Sequence, residues 1–314
     1  MNKYISAGMT ALFLSVPIVA QSAETVPEAG IAAESKGHWA DAIEVYQQAL
    51  KNNPDQPHLW LRIADIEARR GNLNASAAAL NQAIHYSPKD AALYAKLSET
   101  HAAAKNPKAA LAAIDQAVML EPRNLKYLQA RASLANWAQD YAKSADSYSR
   151  ILALEPGSAE ATLGLARNQV WQGNLDQAAV NYKRYVDGHT GDRAALKEYI
   201  NVETKRKQYA SALELLNVYR QRFGATPELW LQTADIQAVA GNPKGVAEAL
   251  EQATRLAPAD GKLYQRLSQS YAVAQDGKAA LTAINHAVQL EPNNIEYLRA
   301  RRAGSLEPGL HHGC

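Results

Sequence analysis

The chain has 314 residues, 47% of them hydrophobic and 20% charged, with 33 Lys+Arg against 31 Asp+Glu and a formal net charge of +2. That length exceeds the ~250–300 residues at which a single hydrophobic core stops growing, so several domains or a repeat array are expected in place of one compact domain. The hydrophobic content excludes an extended disordered chain, and the interleaving of both charge signs leaves no polyelectrolyte surface for nucleic acid.

In chain order, Lys3 precedes a largely apolar stretch that holds Ile5, Met9, Leu12, Phe13, Leu14, Val16, Ile18 and Val19 and ends in the small residues Ala20, Ser22 and Ala23. This reads as a secretory signal peptide over residues 1–22, cleaved after Ser22 or, alternatively, after Ala23. Ser6, Gly8, Thr10, Ser15 and Pro17 make the same stretch a poor membrane anchor. No later run approaches membrane-spanning length, so export to the periplasm, or association with the outer membrane, is the expectation. The single cysteine, Cys314, is the last residue. It excludes an internal disulfide and a cysteine-based zinc or redox site, and no cofactor is called for.

From residue 23 onward the chain is periodic. Pro54, Pro88, Pro122 and Pro156 are 34 residues apart, and the same step continues through Thr190 and Gly224 to Pro258 and Pro292. Ahead of each proline, one column reads Ala42, Ser76, Ala110, Ser144, Ala178, Ala212, Val246 and Ala280. Four residues later stand Tyr46, Leu80, Ile114, Tyr148, Tyr182, Leu216, Leu250 and Ile284, and three after those come Ala49, Ala83, Ala117, Ile151, Tyr185, Tyr219, Ala253 and Ala287. Spacings of four and three place small, large and small residues on one stripe of a helix, the pattern of a face packed closely on another helix. The first helix of the next unit follows each proline, with Trp60, Tyr94, Leu128, Thr162, Leu196, Trp230, Tyr264 and Leu298 in one column. Gly37, Gly71, Gly173 and Gly241 share another column, where a helix C-terminus takes a left-handed residue. Each unit is therefore helix, short turn, helix, with proline closing the second helix.

These columns resemble the tetratricopeptide repeat family over about residues 27 to 301. The second helix follows the family pattern closely; on the first, the family's glycine is replaced by Ala64, Ser98, Ala132, Ala166, Ala234 and Ser268, Ile200 departs from it, and the family tyrosine survives as Tyr271. The resemblance implies an all-α, right-handed superhelical solenoid of antiparallel helix pairs, with about eight repeats across residues 23–301. A longer period overlies the short one: residues 93–131 and 263–301 share 22 of 39 residues at an offset of 170, which points to duplication of a five-repeat block.

After Arg301 the pattern stops, leaving residues 302–314 as a non-repeat tail inside what should be a first helix. We read this as the N-terminal part of a longer protein ending in a truncation or frameshift scar, with a natural frayed tail as the alternative. His311, His312 and Cys314 lack the surrounding support of a metal site.

No GxSxG, HExxH or glycine-rich phosphate loop is present, and His58, His85, His101, His189 and His286 fall on solvated or helix-flank positions, so no catalysis is expected. The resemblance implies that function lies on the concave surface lined by the first helix of each unit. If Trp60 and its equivalents are position 4, the usual contacts are positions 2, 5, 9, 12 and 13. There Asn136 and Trp137 stand near Arg167 and Trp171, an aromatic anchor for a peptide or a sugar ring; the alternative is that either indole packs between helices. Family members that grip a partner's terminal carboxylate use Lys and Asn, a second Asn, then Lys and Arg. Here Lys197, Asn201, Lys262 and Arg266 fit the outer places, while Asp235 in the middle repels an anion. The expected role is a non-enzymatic protein–protein interaction scaffold or assembly factor of the cell envelope, with a protein or peptide ligand. The alternatives are the repeat part of an outer-membrane exopolysaccharide secretion protein and a carbohydrate-binding module.

Overall fold

A computed structural model describes residues 26–305, so the expected signal peptide and the residues from 306 onward lie outside it, His311, His312 and Cys314 among them. The described residues form seventeen α-helices and no strand, divided into two compact units between Glu121 and Pro122. The first unit holds α1 (Glu28–Ser35), α2 (Trp39–Asn52), α3 (Pro57–Arg69), α4 (Leu73–Tyr86), α5 (Ala91–Ala103) and α6 (Pro107–Leu120). The second begins with α7 (Leu125–Trp137), α8 (Tyr141–Leu154), α9 (Ala159–Trp171), α10 (Leu175–Gly188), α11 (Arg193–Lys205) and α12 (Tyr209–Phe223). It continues through α13 (Pro227–Val239), α14 (Pro243–Leu256), α15 (Gly261–Val273), α16 (Gly277–Leu290) and α17 (Ile295–Ser305). Helix pairs repeat at the period of the sequence, and α17 runs past the last matching column at Arg301.

The helix boundaries follow from local chemistry. Asp90, Asn106, Asn124, Asp140, Ser158, Asp192, Thr226, Asn242, Asp260 and Asp276 each accept a backbone N–H of the first turn that has no intrahelical partner. The periodic prolines lie two residues beyond the last residue of the second helix of a pair, as at Pro54 and Pro88 after Asn52 and Tyr86. Between the helices of each pair one residue has positive φ: Gly37, Gly71, Lys105, Gln139, Gly173, Lys207, Gly241 and Gln275, again 34 apart. Glycine adopts that conformation freely, whereas Lys and Gln are held in it at a cost of about 1 kcal/mol by the packing of both flanking helices.

The columns read from the sequence are the core. Tyr46, Leu80, Ile114, Tyr148, Tyr182, Leu216, Leu250 and Ile284 are buried, and Ala42, Ala83, Ala110, Ala117, Ala178, Ala212, Ala253, Ala280 and Ala287 are buried with them. The small members let neighbouring helix backbones approach, and no single unit could cover its stripe alone. Gly30, on α1, holds the family's glycine position that the later repeats, Ile200 excepted, fill with Ala or Ser. A Cβ there would come within 2.2 Å of the Tyr46 ring, so the bulk of Tyr46 is what requires glycine. At the other end, α17 buries Tyr297 and half-buries Leu298 against α16, while Arg299 and Arg301 face solvent.

Candidate functional site

The positions expected to meet a ligand lie on the first helix of each pair, and four-residue spacing lines them into stripes. On α7 the stripe is Gln129, Ser133 and Trp137; on α9, Leu163, Arg167 and Trp171; on α11, Lys197, Asn201 and Lys205; on α13, Leu231, Asp235 and Val239. All four stripes belong to the second unit. Trp171 is 66% exposed and Val239 comparably open, whereas Trp137 and Asn136 are half-buried.

The structure pairs Trp171 with Tyr141 of the preceding repeat. Their rings stack with centroids 5.3 Å apart and 9° between planes, and the Gln172 side-chain amide donates to the Tyr141 carbonyl oxygen at 2.9 Å. The equivalent contact in the first unit is Arg69 over Trp39, 5.7 Å from the ring centroid. The indole therefore packs one face on a neighbour and leaves much of its surface to solvent, which joins the two roles weighed from the sequence.

Arg167 does not stand free. Its Nε and Nη2 donate to the two carboxylate oxygens of Glu198 on α11 at 2.9 and 3.0 Å, and the Tyr182 hydroxyl donates to the same carboxylate at 2.9 Å. Burial works to lower the Arg167 pKa, but the hydrogen bond and charge of Glu198 outweigh it and the pKa rises. Burial, together with the Glu198 charge and hydrogen bond, pushes the Tyr182 phenol well above its ordinary range. The same rung recurs along the array: Asp65 of α3 pairs with Lys96 of α5, and Asp235 of α13 accepts from Arg266 of α15 at 2.6 Å. In each case position 9 of one repeat meets position 6 of the next.

This rung decides the fate of the residues that resembled a carboxylate clamp. Arg266 is committed to Asp235, the residue at the place of the second asparagine. Lys262 is exposed on the first turn of α15, where its backbone N–H donates to Asp260. Lys197 and Asn201 share an exposed face of α11, and the Lys197 Nζ lies over the Tyr219 ring of α12, 5.5 Å from its centroid. Arg193, one turn before Lys197, lies in the same way over Phe223 at 4.9 Å. The sequence reading missed Arg193 and Lys205, although the four-residue step from Lys197 in either direction reaches both.

His58 sits on a helix flank, in the first turn of α3, and is half-buried with both ring nitrogens shielded from solvent. His189 and His286 stack on Tyr185 and Tyr264. Among the described residues no group of three or more His, Cys, Asp or Glu side chains is placed to hold a metal ion, and no helix is long and apolar enough to cross a membrane.

Tetratricopeptide repeat family models match residues 28–91 and 61–124, and a further one matches residues 138–180. Among solved structures, a chain from the structure of Naa15/Naa10 bound to HypK-THB superposes with a TM-score of 0.67 at 18% identity, over 90% of this chain and 44% of that one. This chain thus spans less than half the length of that protein. A tetratricopeptide repeat protein from Parabacteroides merdae gives a TM-score of 0.43 at 17% identity, over 77% of this chain and 96% of that chain. YrrB, described as a TPR protein with an unusual peptide-binding site, gives 0.38 at 15%, over 72% and 99%. No curated protein matches this chain in sequence.

Proposed function

Because the chain is a tetratricopeptide-repeat protein, we propose that it is an exported, non-enzymatic scaffold that binds a partner protein along the first helices of its second unit. The observation that carries the reading is the set of adjacent stripes on α9, α11 and α13, where a two-thirds exposed indole, an exposed valine and several polar side chains stand on rigid helices. Side chains fixed by helix packing lose little entropy on binding, and large aromatic groups at such positions supply much of an interface's energy. Export rests on the basic and apolar character of the first twenty-odd residues and points to the periplasm or the outer membrane.

The test is recovery of a partner. The mature chain, immobilised and exposed to cell-envelope extract, retains a specific protein, and the Trp171→Ala, Val239→Ser double variant retains at least several-fold less while keeping its helical circular dichroism. No specific protein retained by the wild-type chain removes the reading.

The open face of Trp171, already stacked on Tyr141, favours a second reading in which the ligand is a polysaccharide, as in an exopolysaccharide secretion protein or a carbohydrate-binding module. Glycan titration that quenches the fluorescence of wild-type protein but not of Trp171→Phe supports it; unchanged fluorescence at millimolar glycan rejects it.

A further inference from the structure

We infer that α11 is the docking strip for an acidic segment of the partner, one whose carboxylates are flanked by apolar side chains; this deepens the scaffold reading above and rests on it. Arg193, Lys197, Asn201 and Lys205 follow one another at four-residue spacing on α11 and all four are exposed. At about 1.5 Å rise per residue the strip is roughly 18 Å long.

The strip differs from its surroundings in how its charge is met. Around it Arg167 is neutralised by Glu198, Arg206 by Asp176 and Glu203, and Arg266 by Asp235. Among the described residues no carboxylate pairs with Arg193, Lys197 or Lys205. Carboxylates on α11 and α13 are engaged elsewhere: Glu198 and Asp235 hold Arg167 and Arg266, and Glu228 accepts a hydrogen bond from Thr226, which draws its pKa down. Phe223 and Tyr219 seat two of the cations, which fixes their direction without cancelling their charge. Three positive charges without internal counterions on one helix face therefore favour a partner that brings negative charge.

The flanks set the rest of the partner's chemistry. On one side α9 offers Leu163 and Trp171 at the positions equivalent to Lys197 and Lys205, and on the other α13 offers Leu231 and Val239. A segment that lays carboxylates along α11 thus brings its apolar neighbours onto α9 and α13.

The probe is a capped peptide, N-acetylated and C-amidated, in which glutamates are flanked by leucines, labelled for fluorescence anisotropy and titrated with the full chain. Binding that weakens about tenfold or more in the Arg193→Gln, Lys197→Gln, Lys205→Gln triple variant, and equally on replacing the peptide's glutamates by glutamine, is the expected result, with affinity falling as salt rises. Lys244→Gln, which removes a cation paired with Glu248 within α14, leaves binding unchanged. The inference is overturned if the glutamine peptide binds wild-type chain as well as the glutamate one, or if a correctly folded triple variant binds undiminished. It is also overturned if binding appears only with a free terminal carboxylate, which assigns the strip to carboxylate capture. Should the triple variant misfold, the two peptides on wild-type chain still decide. A partner that co-purifies while the peptide arms fail sinks the acidic strip alone; the lack of any partner sinks the scaffold reading and leaves the peptide result to stand by itself.

Discussion

The pair α5 and α6 in the first unit and the pair α15 and α16 in the second are copies of one another, and they differ in an instructive way. Their buried framework is the same down to single hydrogen bonds. The Ser98 hydroxyl donates to the Ala110 carbonyl at 2.8 Å, and the Ser268 hydroxyl to the Ala280 carbonyl at 2.8 Å. Leu97, Ile114 and Ala117 are buried as Leu267, Ile284 and Ala287 are. The charged rung keeps its chemistry while changing residue, Lys96 with Asp65 in one copy and Arg266 with Asp235 in the other. What has diverged is the surface: His101 is answered by Tyr271, whose hydroxyl donates to Glu251, and Gln116 by His286, which stacks on Tyr264. Packing constrains what neighbouring repeats must share, and solvent-facing positions are left to specialise.

Substitutions separate the shared framework from the diverged surface. The largest effect is expected at Ile114→Ala and Ile284→Ala, each leaving a cavity in a buried column and costing about 2–5 kcal/mol by urea denaturation. Near-equal losses fit a framework that is the same in both copies, whereas a loss in one alone breaks the comparison. Ser98→Ala, at a nearly buried hydroxyl, costs about 1 kcal/mol, and Ser268→Ala, half-buried, costs less. At the left-handed turns, Lys105→Gly and Gln275→Gly raise the melting temperature by relieving about 1 kcal/mol of strain, while Gly241→Ala lowers it. Asp65→Asn and Asp235→Asn remove exposed rungs and cost only a few tenths of a kcal/mol, a difference that vanishes in high salt.

The diverged surface also predicts a pH signature. Burial, and then the hydrogen bond to Glu251, push the Tyr271 phenol up to about 12, while its counterpart His101 has no such group. A phenol whose folded pKa lies above its unfolded value adds stability that is complete below the unfolded pKa and is lost as pH rises through the folded one. Ultraviolet titration of phenolate therefore shows one fewer residue ionising near pH 12 in Tyr271→Phe, and the variant's stability deficit shrinks as pH rises from about 10 to about 12.

How much of this was legible in the sequence depended on whether a signal repeats within one column. The small-large-small stripe, the closing prolines and the glycine turns recur at one phase, and the structure places them where the periodicity puts them. Lys105, Gln139, Lys207 and Gln275 occupy the glycine column with the same left-handed backbone, yet neither residue type signals it, because the flanking helices impose the conformation. The rungs were missed because the partners sit 31 residues apart, so pairing them requires knowing which faces two neighbouring helices turn toward each other. That same knowledge was needed to see that Trp171 lies on Tyr141 and that Arg266 is spoken for by Asp235. Gly30 escaped notice because its α1 is a short eight-residue helix, and only the Tyr46 ring reveals why glycine stands there.

The regular return of the left-handed residue from Gly37 to Gln275 has a consequence for how such a chain can change length. Excising or inserting one full period keeps every column in phase, so each new junction still sets a small-large-small stripe against a matching helix, though the charged rungs across it change partners. Loss of a single residue inside a helix rotates the following stripe by about 100° and turns its alanines toward water. Growth by whole modules thus disturbs the packing far less than growth by single residues, and the 170-residue offset between the two copies is a whole number of such modules.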